Sequence, residues 1–405
     1  NMVADYFVCS HMKQNFFLIK LGKVWSALRR DGIARGSMRV LRALGLMLRP
    51  VQPGEVLFIT GGAGDSARYR TDHVAEALGF QGVAASVTMQ SNPFLQSYVK
   101  RFSVFVFHRV LYTPTIAAFI ARIEAAGKEI IFETDDLVYD PAFLKHMDYF
   151  QTMNRLERKL YEHGLGGEIL ANPYVKVCTT STGFLAAQLR KQDKRVIVVK
   201  NVLSVQDVHD AEIALKTAKK DPSVVRLAYF SGTPSHNKDF ATVTPVIMNL
   251  LTRYPTLRLV LAGPLDVDDT LNQFASQIER VTFAPRAEHL KNIARVDINL
   301  APLEIDNPFC ESKSELKWFE AGIVAVPTVA AATLPYKEAI TDGVDGFVAA
   351  TTEEWQEKLE RLITNPVERI ALGERARQMV LSRYTTKSID IKEYSAYINS
   401  KIVQS

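Results

Sequence analysis

The sequence predicts an α/β protein built of two doubly wound parallel-sheet domains facing a central cleft. Three observations predict it. The chain has 405 residues, room for two or three domains at roughly 150 residues each. Short apolar runs alternate with helical segments along most of its length. That alternation lapses once, in a polar stretch near the middle, and then restarts.

The first set of runs is Val56–Thr60, Val83–Val87, Val104–His108, Ile130–Glu133, Val175–Thr179 and Val196–Val199. Helical segments such as Thr113–Ala126 and Thr182–Lys191 lie between them. Nearly continuous β-branched runs read as strands buried on both faces, and strands alternating with helices read as a parallel sheet. Residues 205–223 are polar and charged and are expected to link the domains. The second set is Leu227–Phe230, Leu257–Ala262, Val281–Ala284, Ile298–Ala301, Val326–Ala330 and Gly346–Ala349. The tail from Trp355 reads as helices punctuated by Pro366 and by Tyr384–Thr386. The expected division is 1–50 (basic amphipathic segment), 51–205 (first domain), 206–222 (linker), 223–383 (second domain) and 384–405 (helical tail).

Composition narrows the classes. Hydrophobic residues make up 47% and charged residues 23%, which excludes a disordered or collagenous chain. Cys9, Cys178 and Cys310 lie far apart, with no metal-ligand spacing, so neither a disulfide scaffold nor a zinc ribbon is expected. No uninterrupted apolar stretch is long enough to span a bilayer, and no signal peptide is recognisable. The chain opens on Asn1 rather than Met, as a piece of a longer protein would. Residues 1–50 carry nine Lys/Arg against Asp5 and Asp31, so the net charge of +5 is concentrated there. Such a basic amphipathic stretch suits an anionic membrane surface or the protein's own surface. The rest is slightly negative, which argues against a nucleic-acid binder.

The segment Asn307–Ala330 is the most informative. Ser312 and Glu315 have capping-box spacing, which predicts a helix starting at Lys313. The free N–H groups of a helix start suit a phosphate. Lys313 and Lys317 add positive charge there, and Glu320 follows along the same helix. On periodicity alone, a surface helix with charge pairs is an equal reading. Leu227–Phe240 offers a strand, then Gly232 and a polar loop with Lys238. A glycine there lets backbone N–H groups approach a ligand closely; Asn237 and Lys238 also read as plain turn residues.

These motifs resemble the C-terminal domain of group 1 (family 4-like) glycosyltransferases, from a bacterial surface-polysaccharide branch. The resemblance implies the GT-B fold, two Rossmann-like domains about a cleft. EAGIVAVPTVA matches the second half of the family's pattern, and Glu320 falls on the Glu that binds the donor ribose. The first Glu of that pattern falls on Ser312, and Thr233 replaces an Arg that follows Gly232. Lys238 matches the diphosphate-gripping Lys. VLAGP places Gly263, and VTFAP places Pro285, at segments that line the nucleotide. DGVDGFVA (Asp342–Ala349) extends the match. Gly232, Thr233, Lys238, Gly263, Pro285, Ser312, Lys313, Ser314, Glu315 and Glu320 are thus the implied donor-side residues. The donor is a nucleotide sugar and the acceptor a glycan or lipid-linked saccharide. The implied chemistry retains anomeric configuration and needs no metal. The implied setting is the cytoplasm or the inner face of a bacterial membrane, in O-antigen or capsule synthesis.

The first domain matches more loosely. Gly61, Gly62 and Gly64 form a loop after the first strand, and Arg70 is a candidate for an acceptor anion or donor phosphate. The loop lacks G-K-[ST] and G-x-G-x-x-G spacing, so neither a P-loop nor a nicotinamide cofactor is supported. His108 and Arg109 close one strand, and Asp135 and Asp136 close the next. The aspartates are expected to position or deprotonate an acceptor hydroxyl; paired aspartates also cap turns or bind metals. His108 reads equally as a core histidine. No hydrolase motif appears. A GT-B epimerase, and a catalytically inactive saccharide-binding or scaffold subunit, are the competing readings.

Overall fold

The computed structural model describes residues 51–62, 64–146, 164–232 and 237–402, with single positions at 45, 47, 48, 150, 158 and 161. Most of the basic segment 1–50, and Thr233, therefore lie outside the described residues.

The chain folds as two six-stranded, all-parallel sheets. The first contains β1 (Val56–Thr60), β2 (Ala85–Met89), β3 (Val104–His108), β4 (Glu129–Thr134), β5 (Val177–Thr180) and β6 (Arg195–Val198), in the order β2-β1-β3-β4-β5-β6. The second contains β7 (Val225–Phe230), β8 (Leu257–Ala262), β9 (Ile278–Val281), β10 (Ile298–Ala301), β11 (Thr328–Ala331) and β12 (Phe347–Ala349), in the order β12-β11-β10-β7-β8-β9. β1 and β3 are buried at every position, as sandwiching between helix layers requires. Strand order reverses between β1 and β3 and between β7 and β10. Ligands of doubly wound sheets bind beyond the strand ends at such points.

Two strands start elsewhere than the apolar runs suggest. The Val83 N–H bonds Leu78 O, and Gly82 has φ +78°, so a turn holds Val83 and β2 begins at Ala85. β9 ends at Val281, whose carbonyl accepts from the Gly263 N–H.

The polar stretch after residue 204 is largely a helix, Val205–Thr217, and not an open linker. Ser204 and Asp207 form a full capping box, and Ala211 and Ala214 are its buried face. Its polarity is that of a helix with one side in water. The tail crosses back: Thr386 N–H bonds Leu203 O, and the Lys392–Ile402 helix buries Tyr394 and Ile398 against Val56, Phe58 and Val104 of the first domain. Full burial of such side chains stabilises by about 1.5–3 kcal/mol each.

Each domain also lends an aromatic to the other. Tyr69 joins the core of the second domain, edge-on to Phe319 at 6.0 Å, and Phe309 joins the core of the first.

Candidate functional site in the interdomain cleft

On the first domain, the switch point presses two loops together. A Cβ on Gly61 would lie 2.0 Å from Arg109 O, so only glycine fits after β1. Arg109 takes φ +47°, unusual for a side-chain-bearing residue. Its Nε bonds Asp135 Oδ1 at 2.6 Å and its Nη2 reaches Asp136 Oδ2 at 3.3 Å. Ser66 Oγ donates to Asp135 Oδ2 at 2.7 Å and lies 3.0 Å from His108 Nε2. Burial alone would raise the Asp135 pKa, but the Arg109 charge, with the Ser66 hydrogen bond, outweighs it and holds the carboxyl ionised. Burial pushes the His108 pKa down to about 3, so the imidazole is neutral near pH 7. Asp136 caps the short Leu137–Tyr139 turn through Oδ1 and meets Lys313 Nζ of the second domain at 2.9 Å through Oδ2. Asp136 thus caps a turn and also reaches the second domain.

Two first-domain expectations change. Arg70 faces no ligand space. It is fully buried, with Nε and Nη2 on Glu133 at 2.8 and 3.0 Å and Nη1 on Asn201 at 2.9 Å. The helical turn Arg68–Asp72 aims it into the domain, where an unpaired charge would be costly. His108 is also buried, and touches the cleft network only through Ser66. Gly62 is exposed with open space about it.

On the second domain, the predicted helix start at Lys313 is corrected. A short Pro308–Glu311 helix ends at Ser312, and the next helix is Leu316–Gly322. The capping box does not form, because Ser312 Oγ donates backward to Phe309 O. Ser312 is fully buried and Glu315 nearly so. Glu315 Oε1 accepts from Tyr384 OH at 2.6 Å and from Lys200 Nζ at 3.2 Å. Neither side chain is presented to a donor. Ser314 Oγ accepts from Asn201 of the first domain at 2.8 Å. Lys317 donates to Phe230 O at the end of β7 and lies 5.0 Å above the Tyr229 ring.

Glu320 is buried at the centre of a charged cluster. It accepts from Arg286, from Tyr69 OH at 2.6 Å, and lies 3.5 Å from His289. Burial opposes its charge, but Arg286 and His289 hold its pKa well below the usual carboxylate range. Arg286 also bonds Asp207 at 2.8 Å, tying the cluster to the interdomain helix. Gly263 has φ +87°, and a Cβ there would lie 2.0 Å from Ser231 O, so it packs the β7 and β8 loops together. Pro285 precedes the Arg286–Ala294 helix at its N-cap position. Gly232 and Lys238 are exposed beyond β7.

The structure thus gathers Arg109, Asp135, Asp136 and Lys313 in one network and places Glu320 in a second. Sequence reasoning missed Tyr69, Arg286, Asn201 and Ser66. Their partners lie 251, 34, 113 and 69 residues away, so no local pattern marks them. Among the described residues, Asp239, Glu304 and Cys310 bring three ligand-type atoms within 4.8 Å. Burial raises the Cys310 thiol pKa, and the thiol donates to Asp239 Oδ1 at 3.2 Å.

Residues 246–389 match a family described as glycosyl transferase-like. No curated protein matches the chain by sequence. Among solved structures it is similar to HepE of Anabaena, solved with UDP and glucose, at 11% identity over 87% of this chain and 98% of that one, TM-score 0.52. It is also similar to sucrose-phosphate synthase from Thermosynechococcus elongatus, at 12% identity over 87% and 100%, TM-score 0.56. A glycosyltransferase from Rickettsia africae gives the same values. At these identities the likeness fixes the fold, which is GT-B. The family match over residues 246–389 falls almost wholly in the second domain, the part of the chain whose motifs carry the resemblance read from the sequence.

Proposed function

We propose that the chain transfers a hexosyl or deoxyhexosyl unit from a nucleotide-sugar donor, held by the second domain, to a glycan or lipid-linked saccharide held by the first. One observation carries this: Lys313 of the second domain bonds Asp136 of the first, which Arg109 ties to Asp135 where the strands β3 and β4 end. HepE, of like fold, was solved with UDP and glucose, which supports a nucleotide-sugar donor. Lys313 and Lys238 steady the diphosphate leaving group, where charge grows in the transition state. Glu320 meets the ribose, and Arg109 with the two aspartates orients the acceptor. The transfer retains configuration and takes no metal. Its product is a bacterial surface polysaccharide, O-antigen or capsule. The enzyme works in the cytoplasm, peripheral to the inner membrane face through its basic segment. Among the described residues no helix is long and apolar enough to cross a membrane.

The test is a panel of UDP-, GDP-, dTDP- and CMP-linked sugars, read by melting temperature and by release of free nucleotide. One nucleotide class is expected to raise the melting temperature by mass action and to be turned over. Binding without turnover toward any glycan acceptor favours a second reading, the catalytically inactive saccharide-binding subunit. The buried Ser312 at the position of the family's first Glu favours that reading. Neither binding nor turnover would sink the donor assignment.

A further inference from the structure

Two of the second-domain groups assigned to the donor, Lys313 and Glu320, are already held by side chains of the first domain. Lys313 Nζ lies 2.9 Å from Asp136 Oδ2, and Glu320 Oε1 accepts from Tyr69 OH at 2.6 Å. The two contacts come from different loops, after β4 and after β1, so two separate parts of the first domain act alike.

Each contact occupies a position that a nucleotide needs. A diphosphate and a carboxylate are both anions, and crowding both onto one ammonium sets them in repulsion. Asp136 must then yield. Glu320 accepts through two oxygens with about four lone-pair sites. Arg286 and Tyr69 share Oε1, and His289 faces Oε2 at 3.5 Å. A ribose hydroxyl donating at Oε1 competes there with the tyrosine hydroxyl.

We propose that donor binding is an exchange: the diphosphate displaces Asp136 from Lys313, and the ribose displaces Tyr69 from Glu320. The two first-domain side chains then weaken donor affinity, and they hold the cleft together until a donor arrives. This rests on the donor reading above. Asp136 keeps Arg109 and the Leu137 N–H, and Glu320 keeps Arg286.

The test uses the full chain and calorimetric titration with UDP, GDP and dTDP. Asp136→Asn removes the charge but keeps the capping oxygen. Tyr69→Phe removes the hydroxyl but keeps the ring against His73 and Phe319. Asp136→Asn is expected to tighten the bound nucleotide about fivefold, and Tyr69→Phe about twofold, in line with partly exposed ion pairs and single hydrogen bonds. Lys313→Met weakens binding, and adding Asp136→Asn to it brings no gain. A merely structural ion pair gives the opposite sign, with binding unchanged or weaker in Asp136→Asn. Wild-type binding with no tightening in either single variant overturns the exchange and leaves the donor reading intact. An equal gain from Asp136→Asn in the Lys313→Met background overturns the Lys313 part. No binding by any of these proteins overturns both readings together.

Discussion

Glu133 and Glu315 are both buried carboxylates, and each is held by one cation and one hydroxyl. Glu133 has Arg70 and Thr179, all within the first domain and all sealed from water. Glu315 has Lys200 and Tyr384, which lie where the chain leaves the first domain and where it returns. The Lys200 side chain is 40% exposed, whereas that of Arg70 is fully buried. The first cluster is a rigid part of a domain. The second is a junction between domains, with its cation free to trade its partner for water. The same chemistry lies sealed inside a domain in one place and at the crossing between domains in the other.

The largest expected effect breaks the sealed cluster. Arg70→Met leaves Glu133 buried and unpaired, and removing one partner of a buried pair typically costs about 3–5 kcal/mol. Urea unfolding of the full chain measures it. A loss below about 1 kcal/mol would mean that water reaches Glu133 and that the two clusters do not differ in kind.

Next come the glycines in the loops after β1 and β8. Gly263→Ala combines a positive φ with a Cβ 2.0 Å from Ser231 O. Strain of about 1–3 kcal/mol is expected, before any relief by loop movement. Gly62→Ala, in open space, is the matched control and should change the melting temperature little.

A pH series sharpens the contrast further. His108 has a folded-state pKa of about 3, lowered by burial. An unfolded histidine titrates near 6.5. As pH falls below about 6.5, the unfolded chain takes up a proton that the folded chain refuses, so stability is lost as the solution becomes acidic. Buried His73, also lowered by burial, acts in the same direction. His108→Gln should flatten the slope of stability between about pH 6.5 and 5, above the carboxylate range. Unaltered slopes would place the lost stability elsewhere.

Much of the fold was legible because both sheets are buried on two faces, which forces β-branched runs such as Val104–His108 into near-continuous blocks. The Val205–Thr217 helix was not, because its buried face is made of Ala211 and Ala214, too small to stand out among polar neighbours. At the site, Asp135, Asp136 and Arg109 were legible as polar residues ending strands. Ser312 and Glu315 misled because capping-box spacing ignores what precedes it. Asn307 and Pro308 start a helical turn just upstream, and that turn uses the Ser312 hydroxyl. Tyr69 could not be read at all, since its role arises only when the second sheet meets the first, and Arg286 reaches Glu320 only through the folding of the second domain.

The smallest expected effect tests the crossing. Lys200→Met removes the exposed cation of the Glu315 cluster. Tyr384 OH still donates to the carboxylate, and water can reach the side that Lys200 vacates. Exposed or half-exposed pairs contribute about 0–1 kcal/mol, so unfolding free energy should fall by less than that. The lost contact also joins the first domain to the loop before the Leu316–Gly322 helix, so the domains should part more readily. Limited proteolysis at the interdomain helix, run beside Arg70→Met, separates the two behaviours. Lys200→Met should speed cleavage there with almost no change in global stability, and Arg70→Met should lower global stability without favouring that site. Equal cleavage in wild type and Lys200→Met would make the Glu315 cluster ordinary packing.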